Sequence, residues 1–222
     1  MSATALLEPK ARLEEPDARR AAFYLCLSRA FLPPPGRAAR AALGGLLAED
    51  LEELAGGLGY PCAAELRALR AALAEVPGPL ALLRCYSELF LVPPAPVPLN
   101  AGLYLDGAVM GPFTAEVEAR YAGAGLARSE RFRDLPDHVA LQLEFVAYLC
   151  ACEAQAGEGP ARSREFLASC VEPWLAPFVA ALEQACARNA HARVYLSLAR
   201  ILQAALAGEL RGRPAVAEAF AR

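Results

Sequence analysis

Hydrophobic positions along most of this chain recur every three or four residues, which is the spacing of a buried helical face. In the stretch "LLRCYSELFL", Leu82, Tyr86 and Leu89 follow this i, i+4, i+7 pattern. No segment alternates polar and apolar residues with the two-residue period of a β-strand. The pattern therefore predicts an all-α protein.

Proline and glycine mark the ends of the predicted helices. These cover residues 16–31, 37–54, 61–75, a segment from about 79, then 113–124, 136–156, 161–171, 172–188, 192–207 and a short segment after 214. Between the fourth and fifth of these segments, "VPPAPVPLN" holds four prolines and cannot be a helix or a central strand. It divides the predicted helices into an N-terminal and a C-terminal group. We expect one domain of nine to ten helices over residues 1–222, with N-terminal helices (1–91), a proline-rich loop (92–111) and C-terminal helices (112–222).

The proline-rich loop is long for a compact domain, and long loops are often functional. It would act as a hinge or strap between the two groups of helices, or as a surface crossover whose prolines limit its chain entropy. A hinge would permit helix exchange between two chains, so a monomer and a domain-swapped dimer are both compatible with the sequence.

Composition narrows the class of protein. Hydrophobic residues make up 56% of the chain, alanine, leucine and arginine dominate, and β-branched residues are scarce, all of which favours folded helix. The formal net charge of -3, with arginines interspersed among glutamates, argues against a nucleic-acid partner. No uninterrupted apolar run reaches about 18 residues, so we expect no membrane insertion. The first twenty residues are too polar for a secretory signal.

Seven cysteines, an odd number, lie inside apolar helical patterns. This arrangement predicts reduced and mostly buried thiols in a cytoplasmic protein rather than a disulfide framework.

The segment "DLPDHVALQLEF" (134–145) carries the clearest candidate chemistry. Asp134 is a candidate N-cap, Pro136 suits a first helical turn, and Asp137 suits the positive end of the helix dipole. Capping explains both aspartates, but it does not explain Glu144. If the helix begins at residue 136, the carboxylates of Asp137 and Glu144 lie on one face of an otherwise apolar helix, and the His138 imidazole projects from a neighbouring strip.

These polar side chains would lie at the lip of a groove or pair with internal arginines, because buried carboxylates need partners. The chain has two histidines and no HExxH, CxxC, phosphate-binding glycine loop or Gly-x-Ser-x-Gly elbow. We therefore predict no catalytic residue, no metal site and no cofactor. The alternatives are a helical hydrolase or nucleotide-binding enzyme using Asp137, His138 and Glu144, and a helical scaffold without a peptide site.

The order of several short segments along the chain is more informative about the class of protein than any one segment alone. They are "YSELF", the proline-rich break, "YLDG" followed by "MGP", "LPDHVALQLEF", "FLASCVEPWLAPFVAAL" and "ARVYLSLARILQAAL". From about Leu82 to Leu206, this order resembles the TorD/DmsD/NarJ family of cytoplasmic maturation chaperones for molybdenum-cofactor redox enzymes.

The resemblance implies an all-helical, non-catalytic protein. It also implies binding of the N-terminal twin-arginine signal, or a remnant of one, on a molybdopterin-containing catalytic subunit. By the family pattern, Tyr104 and Asp106 of "YLD" and Asp137 and His138 of "PDH" contribute to the peptide site. Several family members have an acidic residue at the position of Leu135. The Leu-Pro-Asp-His form found here looks closer to the nitrate-reductase branch, whose clients can be retained inside the cell. Exported and retained clients are therefore both compatible with the resemblance.

Physical chemistry gives the same kind of site. Two guanidinium groups followed by an apolar stretch call for carboxylates beside a hydrophobic groove. The candidate carboxylates are Asp106, Asp137 and Glu144, and the candidate apolar contacts are Tyr86, Phe90, Tyr104, Leu141 and the proline-rich loop.

Overall fold

A computed structural model describes residues 15–33, 36–127, 134–157 and 159–211. Within these ranges all regular structure is helical, apart from an isolated antiparallel bridge between Asn100 and His138, so the all-α prediction is confirmed. The helices are α1 (Pro16–Ala30), α2 (Gly36–Leu58), α3 (Ala63–Ala74), α4 (Pro79–Tyr86), α5 (Gly102–Leu105), α6 (Pro112–Gly123), α7 (Val139–Ala156), α8 (Ala161–Phe166), α9 (Glu172–Cys186) and α10 (Arg193–Leu210). A 3-10 turn, Ala190–Ala192, precedes α10.

Helices from before and after the proline-rich loop share one core. Helix α1 packs mainly against α7 and also against α2, while α10 packs against α3 and α9. Phe23, Tyr24 and Leu27 of α1 are fully buried. Both α1 and α7 have buried residues on several sides, as expected for helices enclosed by others.

The second helix ends later than the sequence predicted. Helix α2 continues to Leu58 rather than ending at residue 54, because Gly56 and Gly57 remain helical and Gly59, with a φ of 67°, ends the helix. Gly57 also lets Arg19 of α1 approach closely, and the Arg19 guanidinium donates to the Gly57 carbonyl at 3.0 Å. The short helix predicted after residue 214 lies outside the described residues.

Helices α8 and α9 form one continuous run through a π-helical turn, Leu167–Val171, where the sequence predicted two helices. Pro173 follows directly, and a wide turn accommodates its missing N–H donor. Trp174 and Phe178 are buried as predicted. The run Ala161–Cys186 is long and apolar enough to cross a membrane, but half of its most apolar window is buried in the protein, as in an ordinary core helix.

A buried arginine joins the first helix to the last. Arg20 of α1 donates from Nε to Glu209 of α10 at 2.6 Å and from Nη2 to the Ser163 hydroxyl at 2.9 Å. Its Nη1 donates to Asp17 at 3.0 Å and lies 3.5 Å from Glu153 of α7. Glu153 in turn accepts from the Ser163 hydroxyl at 2.6 Å and the Ser163 N–H at 2.8 Å, which caps α8. One guanidinium therefore links four helices.

Glu209 has three partners in this network. Besides Arg20, it accepts from Tyr60 and, at 3.0 Å, from Nε of Arg164. Burial alone would raise the pKa of Glu209, but the hydrogen bond and charge of Arg20, together with the bonds from Tyr60 and Arg164, outweigh it. The pKa of this carboxyl consequently lies below its ordinary value.

We expect Arg20→Ala to lower the free energy of unfolding by about 3–5 kcal/mol, because Glu153 would stay buried without a cation and Glu209 would keep only the partly exposed Arg164. Glu209→Gln, which keeps the shape of the side chain, should cause a smaller loss. Urea denaturation measures both. The matched control is Arg200→Ala, whose partner Glu183 is 48% exposed and whose loss should cost at most about 1 kcal/mol. Equal losses for Arg20→Ala and Arg200→Ala would contradict the central role of the network.

Candidate functional site

The "YLDG" and "PDH" elements lie side by side. The Ala101 N–H donates to the Asp137 carbonyl at 3.1 Å, and the Val139 N–H donates to the Leu99 carbonyl at 2.9 Å. The proline-rich loop thereby pairs with the segment that enters α7. Tyr104 and Asp106 follow within this same part of the loop, so the structure brings four predicted site residues into one region.

Asp137 holds this junction together. Its side chain is 1% exposed, and its Oδ2 accepts the Gly102 N–H at 2.8 Å, with Asn100 Nδ2 at 3.5 Å from Oδ1. Its backbone carbonyl accepts from Gln142 at 2.7 Å, and Gln142 also accepts from the Trp174 indole at 3.1 Å. Asp137 therefore ties the loop to the core rather than facing solvent.

The predicted capping arrangement is wrong in detail. Helix α7 begins at Val139, not at Pro136, and its N-cap is His138, whose Nδ1 accepts the Ala140 N–H at 3.1 Å. Asp134 instead accepts from the Leu135 N–H at 2.7 Å and from Asn100 at 3.0 Å. The pairing with the loop holds His138 in an extended conformation, so the helix begins only at Val139. Asp137 consequently does not share a helical face with Glu144.

His138 is buried, and burial lowers the pKa of its imidazole, although the charges of Asp134 and Asp137 offset part of the effect. The neutral form is also the one that can accept a hydrogen bond at Nδ1. His138 therefore serves the fold as a neutral N-cap.

Gly102 permits close contact between the loop and Asp137. A Cβ at this position would lie 3.0 Å from Asp137 Oδ2 and 3.2 Å from the hydroxyl oxygen of Thr114, a buried side chain without a hydrogen-bond partner in the described structure. Any side chain would push these groups apart.

Asp106 closes a small loop above this junction. Its Oδ2 accepts the Phe113 N–H at 2.9 Å and so caps α6. Gly111 lies against it, because a Cβ there would collide with the same oxygen. The Asp106 side chain is otherwise exposed to solvent. Tyr104, half-buried, donates to the Pro98 carbonyl at 2.8 Å and packs its ring on Phe178.

Tyr86 and Phe90 lie in the core rather than along a groove. Both are buried, their ring centroids are 4.9 Å apart, and both pack edge-on against Tyr195. The Tyr86 hydroxyl donates to the Phe31 carbonyl at 3.1 Å.

Leu141 and Glu144 lie on α7 and are half-buried. No arginine among the described residues contacts Glu144 or Asp137, and Glu144 has no hydrogen bond or ion pair there. Glu144 is therefore a partly exposed carboxylate without an ion pair in this part of the chain. Across the same residues, no three His, Cys, Asp or Glu side chains are grouped so as to hold a metal ion.

Exposed apolar side chains are concentrated near the proline-rich loop. Of seven large hydrophobic side chains exposed in the described ranges, five fall between residues 91 and 110. They are Leu91, Val92, Leu105, Val109 and Met110. Sequence reasoning missed the last two, although an apolar pair between Gly107 and Gly111 in a turn was a usable indication. It also missed Asn100 and Gly102, whose roles depend on long-range pairing.

Gly102→Ala should destabilise the protein by about 1–2 kcal/mol, because the new methyl group would displace the Asp137 carboxylate. The matched control is Gly56→Ala, inside α2, where a Cβ meets nothing within 4 Å. This control should stabilise the protein by about 0.5–1 kcal/mol. Chemical denaturation distinguishes the two signs, and stabilisation by both would refute the close contact.

Stability should fall as the pH drops below about 6.5, the ordinary value for histidine. The pKa of His138 is lower in the folded protein than in the unfolded chain, so the unfolded chain takes up a proton first as the pH falls. The stability that neutral His138 contributes is therefore present above about pH 6.5 and lost below it. The slope attributable to this group is at most about 1.4 kcal/mol per pH unit. In His138→Asn, which keeps an N-cap, the slope between pH 7 and 5 should flatten.

The matched control is His191→Asn, which removes the other histidine and leaves the loop pairing untouched. Thermal denaturation across this pH range measures each slope. An unchanged slope in His138→Asn would contradict the assignment.

Comparison with known proteins agrees with this architecture. A putatively assigned redox enzyme maturation protein from Archaeoglobus fulgidus has a similar fold, with a TM-score of 0.52 and 19% identity over 89% of this chain and 96% of its own. No curated protein matches the sequence. The family model of the nitrate reductase delta subunit matches residues 56–180, more than half of the chain. This match confirms the resemblance to TorD/NarJ-type chaperones, and the chain belongs to the nitrate reductase delta subunit family.

Proposed function

We propose that this protein is a client-specific chaperone without catalytic activity of its own. It binds the N-terminal segment of a molybdenum-cofactor oxidoreductase subunit, a twin-arginine signal or its remnant. It keeps that segment bound in the cytoplasm until the enzyme has matured. The concentration of exposed apolar side chains near the proline-rich loop carries the proposal, because soluble proteins seldom expose such groups together unless they bind a partner.

The apolar part of the client segment packs on Leu105, Val109 and Met110. Val109 and Met110 project from the short loop that the Asp106–Phe113 hydrogen bond closes at its base, and Leu105 directly precedes that loop at the end of α5. A loop closed in this way loses little conformational entropy on binding, which favours affinity.

The cationic part of the segment pairs with carboxylates. Glu144 forms no ion pair with any residue that the structure describes, and the Asp106 side chain is exposed, so both are accessible to guanidinium groups. Arginine binds a carboxylate with two parallel hydrogen bonds, which makes the pairing selective for arginine over lysine.

Asp137 and His138 act differently in this proposal. Both use their side-chain acceptors on backbone N–H groups, of Gly102 and Ala140. They position the loop against α7 instead of contacting the client. The same hydrogen bonds leave neither group poised as a general base, which disfavours the hydrolase alternative.

Burying about 500 Å² of apolar surface would contribute roughly 12 kcal/mol. Ordering a flexible peptide removes several kcal/mol of this, which leaves a Kd of about 1 µM. Such an affinity allows the client to be released.

Isothermal titration should detect this binding with a synthetic peptide that carries an Arg-Arg pair followed by an apolar stretch. Val109→Ser and Glu144→Gln should each weaken it by about tenfold. Their matched controls are Leu46→Ser, at an exposed leucine on α2, and Glu53→Gln, at an exposed glutamate on the same helix. A Lys-Lys peptide should bind less tightly. Absence of binding to any such peptide would overturn the proposal.

A further inference from the structure

The sulfur atoms of this protein differ sharply in exposure. The chain has two methionines, Met1 and Met110, and Met110 is 74% exposed. Of the seven cysteines, all free thiols, four are buried and three are partly buried. An oxidant in solution therefore meets Met110 more readily than it meets most of the thiols.

The reactivity of thiols and thioethers towards peroxide also favours oxidation of Met110. Peroxides attack the thiolate form of cysteine, and burial raises the pKa of Cys26, Cys85 and Cys150 to about 12. A thioether has no proton to lose, so its oxidation does not depend on such an ionisation.

The backbone holds Met110 in an unfavourable conformation. Its φ is 60°, in the left-handed region that residues with a Cβ seldom adopt. Glycine would fit this turn with less strain, as Gly107 does nearby with a φ of 66°. A strained residue that displays an apolar side chain to solvent indicates that the side chain itself is used.

Met110 also lies beside Val109, which is 60% exposed, in the loop closed by Asp106 and Gly111. Methionine is common at surfaces that bind varied apolar segments, because its side chain is flexible and polarisable. Its sulfoxide is polar and would be poorly compatible with an apolar contact.

We propose that Met110 is an oxidation site that controls client binding, an inference that rests on the proposed function. A sulfur lone pair attacks one oxygen of hydrogen peroxide, the O–O bond breaks, an S–O bond forms and water leaves. Methionine is oxidised to the sulfoxide and the peroxide is reduced. The oxidised protein binds the apolar part of the client weakly, and methionine sulfoxide reductase with a thiol reductant restores binding.

The test treats the purified full chain with hydrogen peroxide and locates the added oxygen by peptide mass mapping. Titration with the Arg-Arg apolar peptide should show binding about tenfold weaker after oxidation of Met110, with helicity unchanged. Met110→Gln, a polar mimic, should bind weakly without treatment. Met110→Leu, which cannot form a sulfoxide, should show the same affinity before and after peroxide, whatever that affinity is.

The outcomes separate this inference from the proposed function. If the untreated protein binds no peptide, the proposed function fails and this inference fails with it. If the untreated protein binds and complete oxidation of Met110 leaves the affinity unchanged, only this inference is overturned. A loss of affinity of equal size in peroxide-treated Met110→Leu would also overturn it, because another residue would then be responsible.

Discussion

The Arg20 guanidinium, buried between the first and last helices, is the interaction on which the rest of the fold depends. Removing such a charge from water is unfavourable by several kcal/mol, and this is offset only where hydrogen bonds and counter-charges are well placed. Glu209, Glu153, Asp17 and the Ser163 hydroxyl provide that environment. They are supplied by α1, α7, α8 and α10, so the charge is satisfied only when these helices are assembled. Packing of α1 on α7 is thereby coupled to the position of α10.

A second buried polar group fixes the proline-rich loop. Asp137 accepts from the backbone of Gly102, while residues 99–101 pair with residues 137–139. The loop lacks the backbone hydrogen bonds of a long helix, and its prolines cannot donate. Its position therefore rests on a few contacts with the entrance to α7, which in turn is anchored to Trp174 through Gln142.

The residues that hold the loop in place differ from the residues that lie at its exposed surface. Buried residues such as Asp137 and His138 hold the loop, whereas Val109 and Met110 remain at the surface. Polar side chains that stay buried and bonded contribute order, and apolar side chains left in water contribute binding free energy when a partner covers them. Membership in the nitrate reductase delta subunit family is compatible with the binding role proposed above for this loop.

The sequence by itself determined the helices, the interrupting loop and the family. Helical periodicity and proline positions are local properties, so they predicted most helices to within a few residues. It also singled out "YLDG" and "PDH", which the fold brings together. Only the tertiary structure decided what each side chain does. Asp137 looked like a helix cap because nothing local records its bond to Gly102, thirty-five residues earlier in the chain.

Likewise, nothing in the local sequence around Arg20 or Glu209 indicates that these two side chains pair, because 189 residues separate them. Whether a carboxylate is buried and bonded, as in Asp137, or left partly exposed, as in Glu144, depends on which distant groups the packing brings to it. Periodicity records which face of a helix is apolar, but it does not record what that face will meet. For this reason the architecture follows from the sequence, and the roles of individual polar residues follow only from the assembled fold.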